Sequence, residues 1–131
     1  IENNLFDIAG VRVVCAFTED IYSLVNSFLS QDDVRLIEKK DYIQSPKENG
    51  YRSLHLIVEI PIFLSNEKKW IKVEVQFRTI AMDFWASLEH KIRYKKNLSK
   101  ERLDEIDKEL LECAKICKTL DEKMEEIKTG N

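Results

Sequence analysis

The chain has 131 residues, 44% hydrophobic and 34% charged, and carries a formal net charge of −3 at pH 7. This is enough for one domain with its own core, and too apolar for a disordered chain. No apolar run approaches the roughly 20 residues that cross a bilayer, and the negative balance argues against duplex DNA, so neither a membrane nor duplex DNA is an expected partner.

The charge is uneven. Residues 1–96 carry 14 acidic and 14 basic side chains and residues 97–131 carry 10 and 7, so the deficit lies in the tail and phosphate chemistry is expected elsewhere. Ile1-Glu-Asn-Asn is neither basic nor followed by an apolar core; no signal peptide is expected, and the lack of an initiator Met reads as a trimmed chain. Cys15, Cys113 and Cys117 form no Cys-x-x-Cys pair and fit reduced thiols in a cytoplasmic protein. Cys113 and Cys117 share a helical face, where packing is the expected role.

In chain order, residues 11–17 are β-branched and predict a strand, and Thr18 predicts the N-cap of a helix over 18–30. A short strand over 34–38 leads into a lysine-rich approach to a turn within 41–55. From 53 to 64, Leu54, Leu56, Val58, Ile60, Ile62 and Leu64 alternate on one face, predicting a long strand that ends or bulges near Pro61. After a polar turn, residues 70–78 set Ile71, Val73, Val75 and Phe77 against Lys72, Glu74, Gln76 and Arg78, completing an antiparallel hairpin. Thr79 predicts the cap of a helix over 80–96 whose Phe84, Trp85, Leu88 and Ile92 cover the sheet. From Ser99, Leu103, Ile106, Leu110, Cys113, Cys117, Leu120, Met124 and Ile127 recur at alternating spacings of 3 and 4. That heptad seam is expected to pack on a helix upstream of Ile1 or on a second subunit. The expected fold class is α+β: a mixed, largely antiparallel sheet covered by helices, with a core over 1–96 and a helical extension over 97–131.

The turn carries the densest chemistry. Pro46 and Gly50 bracket it, Lys47 and Arg52 supply cations for phosphate, and Tyr51 supplies a flat face on which a base can stack. Asp7-Ile-Ala-Gly-Val-Arg12 precedes the first strand, with Gly10 permitting a close chain approach. Glu74, Gln76 and Arg78 share a polar face, which alone is the ordinary solvated side of an antiparallel sheet. Together, two carboxylates and several cations describe phosphoryl transfer, in which carboxylates hold Mg²⁺ and cations share the developing charge. Gly-x-x-x-x-Gly-Lys-Ser/Thr is absent and the chain has 3 glycines, so a glycine cradle for phosphate is excluded.

Asp7-Ile-Ala-Gly-Val-Arg12, Lys40-Asp-Tyr-Ile43, Pro46-Lys-Glu-Asn-Gly-Tyr-Arg-Ser-Leu-His55, Glu74-Val-Gln-Phe-Arg-Thr79 and Met82-Asp-Phe-Trp-Ala-Ser-Leu-Glu-His90 resemble the RelA/SpoT synthetase domain in order and spacing. The short chain with a helical tail is similar to the small alarmone synthetases. The resemblance implies a nucleotidyltransferase-like synthetase fold and Mg²⁺-dependent pyrophosphoryl transfer from ATP to the 3′ hydroxyl of GDP or GTP, giving AMP and ppGpp or pppGpp. It implies Asp7 as a Mg²⁺ ligand, Glu74 as a second ligand or the base for the acceptor hydroxyl, and Arg12 packed on the ATP adenine. Tyr51 would stack on guanine, Lys47 and His55 would hold phosphates, and Gln76 and Asp83 would face the guanine edge, although the family commonly carries Asn where this chain has Asp83. Arg52 and Arg78 are further phosphate contacts, Arg78 alternatively pairing with an acidic neighbour; Glu89 and His90 are expected to be structural. Family domains begin with helices upstream of the Asp7 segment, so the core is expected to lack its N-terminal helices. A homo-oligomer, a tetramer in the family pattern, is implied, and single-stranded RNA is left open. The competing functions are a nucleotide-binding module without turnover and an oligomerisation or RNA-associated module.

Overall fold

The apolar alternation of the long strands and the helical periods assemble into seven elements among the described residues. The computed structural model describes residues 8–93 and 99–130. The elements are β1 (Ile8–Cys15), α1 (Thr18–Leu29), β2 (Arg35–Asp41), β3 (Leu54–Phe63), β4 (Lys68–Thr79), α2 (Ile80–Arg93) and α3 (Lys100–Thr129). The strands form one sheet in the order β1-β4-β3-β2, with β1 parallel to β4 and the other pairs antiparallel. This is the mixed α+β arrangement expected.

One face of the sheet is the core. Leu54, Leu56 and Val58 of β3 stand opposite Phe77, Val75 and Val73 of β4, and all six are buried with Ile21 and Val25 of α1 and Met82 of α2. Alternation alone produces that layer, because each register pair puts two apolar side chains side by side. Leu56 is fully buried at its centre. Leu56→Ala is expected to cost about 2–5 kcal/mol, read from the urea unfolding midpoint; a loss below about 1 kcal/mol would contradict its central place.

Several boundaries differ from expectation. β2 runs on to Asp41 and carries a bulge between Leu36 and Glu38, which breaks the alternation that would have revealed its length. β3 does not end at Pro61, whose ladder partner is Trp70. β2 no longer flanks β3 beyond Glu59, so a residue without an N–H is tolerated at this half-edge. Thr18 is not a cap: the N-cap of α1 is Phe17, with no side-chain cap bond. The Glu19 amide instead donates to Glu125 Oε2 of α3 at 3.2 Å, a capping oxygen no local pattern reveals. Thr79 does cap α2, its Oγ1 accepting from the Met82 amide at 3.2 Å.

The helical layer needs the largest correction. The stripe expected on α2 holds only in part: Trp85 is buried and Ile92 packs beside it, but Phe84 is 60% exposed and Leu88 is also exposed, and Met82 and Ala86 are buried instead. Met82 joins the sheet core, and Trp85 and Ala86 pack with Ile106, Leu110, Ala114 and Cys117 of α3. The α3 seam therefore has an intramolecular partner over its first half, contrary to the expectation that it must leave the chain. Its buried positions follow the 3.6-residue period, so Ala114 faces inward and Cys113 is exposed. Ala114 is needed there because the turn at Gly50 presses on the helix; a Cβ on Gly50 would lie 2.5 Å from Ala114 Cβ. Leu120, Met124 and Ile127, the far end of the seam, are exposed.

Candidate active site

The alternation that buries Leu54 and Leu56 turns His55 to the opposite face, and register does the rest. Arg12 pairs with Gln76, Gln76 with His55 and His55 with Lys40, so four side chains from four strands cross the sheet in one row. Register partners lie about 5 Å apart at Cβ, so the row is contiguous. Glu74 stands two residues from Gln76 on the same face, between Gly10 and Ile57. Gly10 was expected to admit a close chain approach, yet its Cβ position is open among the described residues.

The turn over 47–50 closes through the Gly50 amide to the Lys47 carbonyl at 2.9 Å, and the Asn49 side chain accepts from the Tyr51 amide. Gly50 adopts φ +99°, the left-handed region expected of a glycine there. Asp41 shapes the approach: its Oδ1 accepts from the amides of Ile43 and Gln44 and its Oδ2 accepts from Tyr22. Burial, then that bond, pushes the Tyr22 phenol well up.

Tyr51 is the hub. Its hydroxyl oxygen accepts from Ser53 Oγ at 2.9 Å and Arg78 NH2 at 3.0 Å, and lies 2.7 Å from His55 Nε2. With both lone pairs taken, the hydroxyl proton belongs on the bond to Nε2, and a neutral His55 then carries its own proton on Nδ1, 3.6 Å from Glu74 Oε2. Burial is the main force holding His55 below the usual imidazole range; Glu74 opposes it, and Arg78, Lys47 and Lys40 reinforce it. Tyr42 packs edge-on against both rings, with centroids 6.1 Å from Tyr51 and 5.5 Å from His55. Lys47 Nζ stands 4.9 Å from the Tyr42 ring and 5.3 Å from that of Tyr51.

Arg78 joins the turn to the row. It donates to Asp83 Oδ1, Tyr51 and Gln76 Oε1, each at 3.0 Å, while its buried Nε has no partner among the described residues. Asp83 Oδ1 also accepts from Arg12 NH1 at 2.9 Å. Burial pulls the Asp83 carboxyl up, but the bonds and charges of Arg12 and Arg78 outweigh it and hold the group below the usual carboxylate range. Arg78 thus has an acidic neighbour in Asp83.

The structure gathers Arg12, Lys47, Tyr51, His55, Glu74, Gln76, Arg78 and Asp83 around one polar face. Asp7 lies outside the described residues. Arg52 is not on offer to a phosphate: it is 6% exposed and its NH2 donates to Asp121 Oδ2 of α3 at 3.0 Å. A neighbouring carboxylate takes up its charge, and burial bars a ligand. Glu89 pairs with Arg93, which also bonds Asp107 and so ties α2 to α3.

These features can be set beside known proteins. Residues 1–99 match the family described as a region found in RelA / SpoT proteins. The chain belongs to the RelA/SpoT family. Over 127 residues it is 54% identical to GTP pyrophosphokinase YwaC of Bacillus subtilis, an alignment covering 97% of this chain and 60% of that protein. Small alarmone synthetase 2 from Bacillus subtilis superimposes with a TM-score of 0.84 at 52% identity, covering 93% of this chain and 65% of that one. Small alarmone synthetase 1 from the same organism, solved bound to its product pppGpp, gives 0.79 at 35% identity, with 89% and 58% covered. The chain spans less than two thirds of the length of these relatives.

Three residues of this RelA/SpoT chain enter the site without having been singled out by sequence. Lys40 ends the cross-strand row, and was missed because β2 was read as stopping at residue 38. Tyr42 completes the aromatic cluster with Tyr51 and His55. Asp121 braces the turn from a helix 69 residues away. The quoted Lys40-Asp-Tyr-Ile43 segment was a signal for the first two; nothing local marks the third.

Proposed function

We propose that this RelA/SpoT chain carries the core of a GTP pyrophosphokinase, which moves the pyrophosphoryl group of ATP to the 3′ hydroxyl of GDP or GTP. The observation that carries the proposal is the row Arg12, Gln76, His55 and Lys40, cationic at both edges of the sheet, with Glu74 beside its middle. Two phosphate-bearing substrates can lie along such a face, one from each edge, with a carboxylate between them. The names of the relatives, a GTP pyrophosphokinase and a synthetase holding pppGpp, support the same reaction. We take residues 1–96 as the core and 97–131 as an extension that braces it.

In this reaction the 3′ oxygen bonds to the β-phosphorus of ATP, the bond from that phosphorus to the bridging α-phosphate oxygen breaks, and AMP leaves. Glu74 accepts the hydroxyl proton or serves as a second ligand to the cation, and His55 Nδ1 stands 3.6 Å from its Oε2. Tyr51 offers its ring to guanine, and Lys47, already within reach of that ring, meets the phosphates of a stacked nucleotide. Gln76 faces the guanine edge. Asp83, tied to both guanidinium groups, orients Arg12 towards the adenine of ATP and Arg78 towards phosphate. Mg²⁺ keeps several waters and takes one or two carboxylates plus substrate phosphates, and Glu74 offers one such carboxylate, partly exposed on the polar face. Glu74 and Asp7 are the residues that would hold it, and when bound it supplies charge neutralisation at the phosphate oxygens. The same reading places the enzyme in the cytoplasm as a homo-oligomer, a tetramer, for which the exposed Leu120, Met124 and Ile127 are available surface.

The test is incubation of the full-length protein with ATP, GDP and Mg²⁺. Equal amounts of ppGpp and AMP are expected; folded protein that yields neither would overturn the proposal.

A further inference from the structure

A buried polar cluster that the proposed reaction does not use lies at the point where three segments meet. Asp121 Oδ2 accepts from Arg52 NH2 at 3.0 Å and from Thr79 Oγ1 at 2.8 Å, so one oxygen holds two residues distant in sequence. Arg52 and Asp121 are both more than nine-tenths buried and Thr79 is completely buried. A surface-type explanation, in which such a pair forms by chance among solvated charges, does not apply here.

The neighbours of these two residues are what give the cluster meaning. Arg52 follows Tyr51 and Thr79 follows Arg78, and Arg78 NH2 itself donates to the Tyr51 hydroxyl at 3.0 Å. Successive side chains of extended backbone point to opposite faces, so the 51–78 bond and the 52–79 bridge through Asp121 join the same two segments from their two sides. Thr79 Oγ1 also accepts from the Met82 amide, setting the first turn of α2 from which Asp83 reaches Arg12 and Arg78. Ala114, less than two turns before Asp121 on α3, touches the turn at Gly50. The helix thus grips both segments that carry the guanine-side residues.

Energetics separates holding from stabilising. Replacing a buried ion pair by apolar residues of similar volume is often neutral or favourable, whereas removing one partner leaves a costly charge. A pair kept only for stability is replaceable; one that sets a geometry is not. We propose that Asp121 is a positioning residue for the nucleotide site, fixing the spacing of Tyr51 and Arg78 from the far side of the sheet. The proposal rests on the guanine-nucleotide role of Tyr51.

Two variants test it. Asp121→Asn keeps the volume and loses the charge opposite Arg52; the pair Arg52→Met with Asp121→Leu replaces the ion pair by apolar groups, so that a folded protein is available even if the first variant is unstable. Equilibrium binding of GDP and of a non-hydrolysable ATP analogue is measured on folded protein, with the ring resonances of His55 recorded without nucleotide at fixed pH. At least fivefold weaker GDP binding is expected in both variants, with a smaller loss for the ATP analogue and a displaced His55 resonance, because His55 shares the Tyr51 hydroxyl bond. Parental GDP affinity in the apolar pair, whatever its melting temperature, would show a purely structural role and overturn the proposal. If the parent itself binds no GDP, the guanine-nucleotide reading fails instead, and an unmoved His55 resonance then overturns the positioning role independently.

Discussion

Glu74→Gln is expected to lower turnover about 100- to 1,000-fold while leaving the fold intact, the scale seen when a group acting on the developing charge is removed. The carboxylate is partly exposed on the polar face and has His55 Nδ1 3.6 Å from Oε2. Glutamine has the same shape, opens no cavity and can still face the imidazole through its amide oxygen. What it cannot do is take a proton from an acceptor hydroxyl or offer a charged oxygen to a divalent cation. Because the loss falls on the chemical step, kcat should drop far more than KM for GDP rises, measured as AMP release under saturating substrates. A stability change beyond about 0.5 kcal/mol in the unfolding midpoint, with turnover retained, would make Glu74 a structural residue.

Gly50→Ala is expected to be strongly destabilising. Gly50 has φ +99°, a region L side chains rarely adopt, and an added Cβ would lie 2.5 Å from Ala114 Cβ and 3.3 Å from Leu111 Cδ1. The nearer obstacle does not move freely, because Ala114 Cβ is fixed to the backbone of α3, whereas Leu111 Cδ1 ends a flexible side chain. Strain in φ costs on the order of 1–2 kcal/mol and overpacking about 1–3 kcal/mol more, for a combined loss of about 2–5 kcal/mol. The check is the urea midpoint of Gly50→Ala against the double variant with Ala114→Gly. The second glycine relieves the clash but not the φ strain, so partial recovery is expected, with the non-additive part measuring the contact. Full stability in the single variant would mean that α3 does not press on this turn.

Both results bear on how the site is assembled. The row of Arg12, Gln76 and His55 was legible as three polar residues on alternating strands, but its contiguity depends on register across β1, β4 and β3. Lys40 escaped because a bulge after Leu36 shifts the pairing of β2 and hides its period. Arg52 was misjudged for a different reason. As an arginine beside Tyr51 it has every local mark of a phosphate ligand, and only a carboxylate 69 residues away shows that its charge is already spent. The same holds for Phe84 and Leu88, apolar residues at helical spacing that face outward because α3 covers the other side of α2.

Taken by itself, the sequence determined whatever depends on near neighbours. Alternation in β3 and β4 set which face is core and which is polar, Thr79 set the start of α2, and glycine at position 50 set the left-handed turn. These follow from backbone geometry and side-chain direction over a few residues, where propensity and period act directly. The tertiary structure alone decided the partners: Glu125 rather than Thr18 at the start of α1, Ala114 rather than Cys113 against the turn, and Asp121 behind Tyr51 and Arg78. Each is a contact between segments tens of residues apart, whose free energy comes from burial and pairing that a local window does not contain.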